Sequence, residues 1–192
     1  ANLYGLGTNL GLESGDTQGY LANPETFENL GMLWTSGQLL QAGIGQSEIA
    51  VTPLQMAVTA MTIANEGVRY KPYLVDSIWD YSMNKCISKT EPTVASKIDL
   101  NYDYVYDFIE NGMIKASQNT PNGEYSLNGL GYDVAIKTGT PQSARGTDSS
   151  FIGYAPADNP QVAFAGIVEG GEYSKYMVRK ILDVYDKYYG ID

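Results

Sequence analysis

The sequence predicts an α+β domain in which helices flank an antiparallel sheet. Its last third contains three strand-like segments, 133–140, 151–154 and 162–168, which are joined by short links. Consecutive strands with short links favour antiparallel pairing. Helical patterns at 52–66 and 174–189 precede and follow these strands, so helices can pack on the sheet. The chain has 192 residues, the size of one ordinary domain.

The first 42 residues are predicted to contain extended pieces, one short helix and a connector. Residues 1–24 are rich in Gly, Asn, Ser and Asp, which predicts short extended pieces joined by turns. A short helix is expected near Glu25–Met32, and a connector should follow it to residue 42.

The clearest helix should begin at Thr52 and run to about Glu66. Thr52 and Gln55 form a Thr-x-x-Gln capping box, and Pro53 occupies a position that a helix start tolerates. Apolar residues lie nearly all around this helix, which predicts that it is buried. Gly67 is placed to end it.

The middle of the chain predicts a strand pair. Residues 68–71 alternate in polarity, Pro72 interrupts the pattern, and residues 73–79 resume it. Residues 80–84 should form the turn, and a polar link should then extend to about Leu100.

Two further helices are expected. The first should span Tyr102–Ala116 and precede a Gly- and Asn-rich loop at 117–131. The second should be capped by Ser174, extend to about Tyr189 and stop at Gly190. The residues predicted to face inward are Val105, Ile109, Met113 and Ala116 in the first, and Met177, Ile181, Val184, Tyr185 and Tyr188 in the second.

Composition excludes several functions. The net charge is −10, and no cluster of Lys and Arg is present to neutralise nucleic-acid phosphates or anionic lipids. Histidine is absent, which excludes His-based triads and His metal sites within the chain. The single cysteine, Cys86, has no second Cys nearby and is interpreted as structural. No stretch approaches the ~18 apolar residues of a membrane span, and the start at Ala1 predicts a fragment or processed piece.

The string Lys137-Thr138-Gly139-Thr140, at the end of a predicted strand, is the candidate functional motif. Thr138 and Thr140 should share one face of the strand, and two hydroxyls with an ammonium suit recognition of a carboxylate. Gly139 would let another backbone approach closely, and a backbone N–H here would suit a developing oxyanion. Taken alone, the string also fits a strand end with a turn glycine. Arg145, in the loop after the motif, is a candidate substrate contact, although a solvated charge is the favoured interpretation.

The motif and its surroundings resemble the class B penicillin-binding proteins of the serine β-lactamase/transpeptidase superfamily, whose motif set is SxxK, SxN and KTG. Residues 43–67 resemble the family's IGQGE…TPLQMA…IANGG segment, and residues 4–11 resemble the FGFG…TG piece before it. Residues 151–156, read FIGYAP, and the strand at 162–168 resemble the family's segments on the C-terminal side of KTG. The resemblance is weak across about 76–130. It implies the penicillin-binding transpeptidase fold, incomplete in this chain.

The resemblance also implies roles for the motif residues. Lys137 would support proton transfer and carboxylate binding beside the SxN serine. Thr138 and Thr140 would hold the carboxylate of a D-Ala-D-Ala stem or of a β-lactam. The Thr140 N–H would be one oxyanion-hole donor, and Gly139 would leave room for the peptide.

The family's nucleophile and its SxN serine precede the IGQ segment, so the resemblance implies that both lie upstream of this chain, and that residues 1–192 are the C-terminal portion of one transpeptidase domain. Chance matches occur at Ser82-Met-Asn84-Lys85, and at Ser117 and Ser126 for SxN. Ser82 is rejected as the nucleophile because it lies in a predicted turn and comes after the IGQ segment.

The function implied is part of a serine D,D-transpeptidase that cross-links peptidoglycan through an acyl-enzyme and binds β-lactams covalently; the chain alone would be inactive. A D,D-carboxypeptidase or β-lactamase on the same fold, and a non-catalytic sensor or scaffold, are the alternatives. No cofactor, metal or nucleic acid is expected. Expected partners are stem peptides, β-lactams, the segment that carries SxxK and SxN, and a membrane glycan polymerase. The site would face the extracytoplasmic side of a bacterial membrane, anchored by an upstream segment.

Overall fold

The computed structural model describes residues 1–102, 104–119, 123–143, 146–171 and 174–191. A 3₁₀ turn at Asn2–Tyr4 opens the chain. The α-helices are α1 Pro24–Asn29, α2 Ser36–Gly43, α3 Pro53–Ala64, α4 Tyr104–Gln118 and α5 Ser174–Tyr189. The strands are β1 Val68–Tyr70, β2 Ser77–Trp79, β3 Cys86–Lys89, β4 Val94–Lys97, β5 Ala135–Gly139, β6 Gln142–Ser143, β7 Gly146–Thr147, β8 Ser149–Ala155 and β9 Val162–Val168.

The central sheet is antiparallel and has the order β5–β8–β9. Its three strands are those that the sequence predicts, and the short links between them explain the pairing. Helices cover both faces, so the α+β prediction is confirmed.

Two apolar clusters fill the space between the sheet and its helices. On one face, Ile136 of β5 packs with Phe164 of β9 and Leu182 of α5. On the other face, Ala135 packs with Met113 of α4, and residues of α3 complete that layer. Successive residues of a strand point to opposite faces, so β5 contributes alternately to the two clusters.

Two glycines make room for aromatic rings on the α5 face. A Cβ added to Gly153 would lie 2.8 Å from the Phe164 ring, and one added to Gly166 would lie 2.5 Å from the Phe151 ring. Each glycine pairs with the aromatic residue that covers it. The rings therefore lie across the neighbouring strand, an arrangement that compensates for glycine in sheets.

Helix α3 begins as the sequence predicts. Thr52 and Gln55 form the capping box in both directions. The helix ends at Ala64, and Gly67 comes soon after it with a φ of 91°, donating its N–H to the Thr62 carbonyl. The prediction of burial all round is only partly right, because Gln55, Val58, Ala60 and Thr62 are buried and most other residues are half-buried.

Residues 68–97 form a nested ribbon rather than one strand pair and a polar link. β2 pairs with β3 around the predicted turn, and β1 pairs with β4 outside them. The alternation at 73–79 becomes a strand only over Ser77–Trp79. The polar link predicted up to Leu100 contains β4, a strand that the local pattern does not indicate because its partner lies more than 20 residues earlier.

Helix α2 corrects the predicted connector. Thr35 is its N-cap, and its side chain accepts a hydrogen bond from the N–H of Gln38 at 3.4 Å. Leu39 and Leu40 on this helix are 62% and 75% exposed. A Thr-x-x-Gln pattern, the same signal as at α3, was therefore available in the sequence.

The buried face of α5 differs from the predicted one. Val178 and Leu182 are fully buried, whereas Met177, Val184 and Tyr188 are exposed by 40–70%. The helix carries apolar residues on two sides, so periodicity alone could not choose between them. Ser174 is the first residue of the helix rather than its cap. The inward face predicted for α4 is confirmed, since Met113 is buried and Val105, Ile109 and Ala116 are half-buried.

Candidate functional site

The KTGT motif lies at the outer edge of the central sheet. Lys137, Thr138 and Gly139 are the last three residues of β5, and Thr140 is the next residue. β5 pairs with β8 on one side, and no strand among the described residues pairs with its other side. An edge strand presents unpaired backbone N–H and C=O groups, so an extended peptide can add to it as a further strand.

The pleat of β5 separates the polar groups of the motif. Lys137 and Gly139 share the face that α3 and α4 cover, and Thr138 points to the face that α5 covers. The strand ends one residue before Thr140. Lys137 and Thr140 are exposed, and Thr138 is half-buried. The Lys137 Nζ donates a hydrogen bond to the Thr138 carbonyl. The Lys137 side chain and the Thr138 hydroxyl therefore start from opposite faces of the strand, and the ammonium bonds to the backbone between them.

Gly139 accommodates a side chain of its own sheet. It pairs with Ser150 on β8, and a Cβ added to Gly139 would lie only 2.6 Å from the Ser150 Oγ. The space left by the missing side chain is thus occupied, on this face, by the Ser150 hydroxyl. Ser150 could not be identified from the sequence, because its position depends on the register between β5 and β8.

The loop after Thr140 is closed by hydrogen bonds at its base. β6 and β7 pair within it, and the Asp148 N–H donates to the Pro141 carbonyl at 2.9 Å. Asp148 is 7% exposed, and its Oδ1 accepts the Gly170 N–H at 2.9 Å. Arg145, the candidate substrate contact, lies outside the described residues.

The TPLQMA segment holds the N-terminal residues against α3. Gln55 is completely buried, and its Nε2 donates to the carbonyls of Thr8 and Gln18, each at 2.8 Å. Its Oε1 also accepts the Thr52 N–H at 3.2 Å. One side chain therefore caps α3 and ties the N-terminal segment to it. This segment, which resembles the family, thus has a structural role in the fold.

Beneath the motif, Tyr154 connects the sheet to α4. Tyr154 is 1% exposed, pairs with Ala135, and donates its hydroxyl to Glu110 Oε2 at 3.0 Å. Burial, and then the hydrogen bond to Glu110, raise the pKa of Tyr154 far above its usual value. Tyr154 is therefore a neutral donor at any physiological pH, and it holds α4 under the strand that carries KTGT.

The three serines with chance motif matches have local roles. Ser82 is exposed in the β2–β3 turn and donates to Asp80 Oδ2 at 2.9 Å. Ser117 donates to a carbonyl of its own helix at 2.8 Å, and the Ser126 Oγ accepts the Asn128 N–H at 3.1 Å. Ser82 thus lies in a solvated turn, which would not desolvate a neighbouring lysine.

Metal-ligand clusters and membrane-spanning helices are both absent from the described residues. That part of the chain contains no group of three or more Cys, Asp or Glu side chains that could hold a metal ion. Within the same residues, none of the helices is both long and apolar enough to cross a membrane. Cys86 is exposed on the β2–β3 hairpin.

Comparison with known proteins assigns the family. A model described as the penicillin binding protein transpeptidase domain matches residues 2–183. The peptidoglycan D,D-transpeptidase PbpA of Mycolicibacterium smegmatis is 35% identical over 148 residues, which are 73% of this chain and 28% of that protein. The structure of penicillin-binding protein 2B from Streptococcus pneumoniae aligns with a TM-score of 0.81 and 26% identity, covering all of this chain and 32% of that one. An imipenem acyl-enzyme complex of penicillin-binding protein A from Mycobacterium tuberculosis aligns with a TM-score of 0.76 and 25% identity, over 94% of this chain and 40% of that one.

This chain therefore spans less than half of each of these relatives. The FIGYAP strand, the TPLQMA helix and the KTGT strand all lie within the matched residues. The chain belongs to the penicillin-binding protein transpeptidase domain family.

Proposed function

We propose that residues 1–192 are the C-terminal portion of a serine D,D-transpeptidase that cross-links peptidoglycan stem peptides and binds β-lactams covalently. The observation that carries the proposal is the KTGT motif on the open edge of β5, in a chain that belongs to the transpeptidase family. An extended stem peptide can pair with that edge while the motif's polar groups flank it.

In this proposal a serine outside the chain attacks the penultimate D-Ala carbonyl, the amide C–N bond breaks, and the terminal D-Ala leaves as an amine. The acyl group then passes to the amine of a second stem peptide. Lys137 supports the proton transfers and attracts the carboxylate. Thr138 and Thr140 bind the carboxylate, and the Thr140 N–H stabilises the oxyanion. Gly139 keeps the strand close to the ligand.

The segment that carries SxxK and SxN completes the domain by covering apolar surface. Leu33, Leu39, Leu40 and Ile44 are exposed by 62–85% around α2. The outer face of α5 forms a second apolar surface lined by Met177, Lys180, Ile181, Val184, Tyr185 and Tyr189. Contiguous apolar surface of this kind typically marks an interaction site. On this basis the chain alone is inactive, because the nucleophile comes from the covering segment.

The proposed site lies on the extracytoplasmic face of a bacterial membrane, where peptidoglycan is cross-linked, with an anchor outside these 192 residues. A membrane glycan polymerase is the proposed partner. The reaction needs no metal or organic cofactor, because a serine, a lysine and backbone donors suffice for acyl transfer.

Intact mass spectrometry of the complete protein, with and without a β-lactam, tests the proposal. One added drug mass is expected, and peptide mapping should place it on a serine outside residues 1–192. Lys137→Ala should slow the acylation, whereas Lys89→Ala, an exposed lysine on β3, should not.

Each other outcome identifies an alternative. An adduct on Ser82 would overturn the placement of the nucleophile. Rapid loss of the adduct with release of hydrolysed drug would indicate a β-lactamase, and release of D-Ala without cross-linking would indicate a D,D-carboxypeptidase. No adduct on the complete protein would favour a sensor or scaffold.

A further inference from the structure

We propose that Asp148 is a positioning residue for the oxyanion donor of this site. The inference rests on the proposed function, in which the Thr140 N–H stabilises the oxyanion. Asp148 does not itself reach a ligand in this proposal. It fixes the backbone that carries Thr140, and it does so with a buried carboxylate that no step of the proposed reaction uses.

The backbone of Asp148 closes the loop that begins next to the donor. Pro141 is the residue after Thr140, and the Pro141 carbonyl accepts the Asp148 N–H at 2.9 Å. Within the loop, Gln142 pairs with Thr147 in the β6–β7 hairpin. One side of Thr140 is therefore held by the β5–β8 pairing, which extends to Gly139, and the other side by the hydrogen bond to Pro141.

The side chain of Asp148 connects that loop to a separate part of the fold. Its Oδ1 accepts the N–H of Gly170, 22 residues later, in the turn between β9 and α5. Gly170 has a φ of 64°, a left-handed conformation that suits glycine. The contact therefore anchors the loop to the turn between β9 and α5.

A carboxylate at this place requires an explanation. Asp148 is only 7% exposed, and a buried carboxylate is costly unless hydrogen bonds compensate for its lost hydration. A loop that only joins two strands does not need a buried carboxylate. A donor that stabilises an oxyanion, in contrast, must already point at the position where charge develops, because reorganisation during the reaction reduces its effect. A displacement of about 1 Å can reduce a rate by about 100-fold.

Acylation kinetics of the complete protein test this role. A chromogenic cephalosporin is used as the probe, and its dissociation constant is measured separately from the first-order acylation rate constant. Asp148→Ala should lower the rate constant by about 10- to 100-fold, with less than about a threefold change in the dissociation constant. Asp148→Asn keeps an oxygen acceptor for the Gly170 N–H and should stay within about threefold of wild type.

Two controls separate positioning from folding. Asp158→Ala changes an exposed aspartate at the other end of β8 and should leave both constants unchanged. Active-site titration corrects each rate for the fraction of folded protein. If Asp148→Ala does not yield folded protein, Asp148→Ser is measured instead, because its shorter side chain cannot span the same distance.

The results distinguish this inference from the proposed function. A wild-type protein that is not acylated overturns the proposed function. A wild-type protein that is acylated, with an Asp148→Ala variant of equal rate constant per active site, overturns only the positioning role. A variant that loses affinity and rate equally also overturns it, because that pattern indicates a ligand contact.

Discussion

Replacing Gly139 by alanine should slow acylation because the new methyl group would collide with the neighbouring strand. The added Cβ would lie 2.6 Å from the Ser150 Oγ, whereas ordinary contacts begin at 3.4 Å. The two groups must therefore separate by roughly 0.8 Å, either through rotation of the Ser150 side chain or through a shift of β5 that disturbs its pairing with β8. Overpacking of this kind typically costs about 1–3 kcal/mol. If the whole cost falls on the alignment of the transition state, acylation slows by about 5- to 160-fold.

The assay compares the acylation rate constants of four proteins in a double-mutant cycle. Ser150→Ala removes the atom that the new methyl group meets, so the double variant Gly139→Ala/Ser150→Ala should recover most of the lost rate. Ser150→Ala alone should remain close to wild type. Thermal unfolding of the same proteins shows how much of the cost falls on stability instead.

The same cycle decides what Gly139 makes room for. The sequence suggested the peptide ligand, whereas the structure shows the Ser150 hydroxyl in that space. If the double variant is as slow as Gly139→Ala, the collision is with the ligand, and the reasoning from Ser150 is refuted. If Gly139→Ala itself reacts normally, the Ser150 side chain or the strand adapts without cost, and neither Ser150 nor the ligand limits the size of residue 139.

Three predictions concern stability, each measured by urea unfolding of the complete protein. The Gln55→Glu variant should lose about 3–5 kcal/mol of unfolding free energy, because a buried carboxylate would face two backbone carbonyls in place of the amide donor. A variant as stable as the wild type would refute this. The Gly67→Ala variant should lose about 1–3 kcal/mol of unfolding free energy, because its φ is 91° and its Cβ would lie 2.4 Å from the Tyr106 hydroxyl and 2.5 Å from the Ile98 carbonyl; no loss would refute the argument from crowding and strain. Tyr154→Phe should cost about 1–3 kcal/mol at neutral pH through the lost bond to Glu110. The pKa of Tyr154 is raised in the folded state, so the unfolded chain loses the hydroxyl proton first as pH rises. The unfolding free energy of the wild type should therefore fall above pH ~10, more steeply than that of Tyr154→Phe. Parallel curves of unfolding free energy against pH would contradict the raised pKa.

Local signals predicted the helices and strands that depend on few neighbours. The capping box of Thr52 and Gln55 identified the start of α3, and the strand at Val162–Val168 has its predicted bounds. Both patterns are complete within a short stretch of sequence, so the rest of the chain is not needed to interpret them.

The sequence-based predictions failed for features that depend on residues far away in the chain. β4 is a strand because β1 lies beside it, and nothing in the polar segment itself indicates this. The choice between Val178 and Val184 as the buried residue of α5 depends on where the sheet lies, since the helix is apolar on both sides. α2 differs from these cases, because its start carries a local signal, the Thr35-x-x-Gln38 pattern, although a connector was predicted there.

The candidate site shows the same division. Lys137 and its neighbours could be proposed from sequence as site residues, because the motif is contiguous and the resemblance implies a role for each residue. Ser150 and Asp148 could not, because their relation to the motif is fixed by strand register and by a hydrogen bond to Gly170. Serine and aspartate are common in loops, so their residue types alone do not indicate a link to the motif.

The open edge of β5 makes the motif's groups on both faces of the strand accessible to one ligand. A ligand that pairs with the edge lies in the plane of the sheet, so it can reach the ammonium of Lys137 on one face and the hydroxyl of Thr138 on the other. A strand in the middle of the sheet would offer no such access. An open edge also invites pairing with other chains, and a charged side chain on the edge strand opposes this. In the proposed function Lys137 would meet both requirements, since its positive charge would attract the ligand's carboxylate and hinder unwanted strand pairing at the same place. The arrangement fits a site whose ligand is itself an extended peptide with a terminal carboxylate.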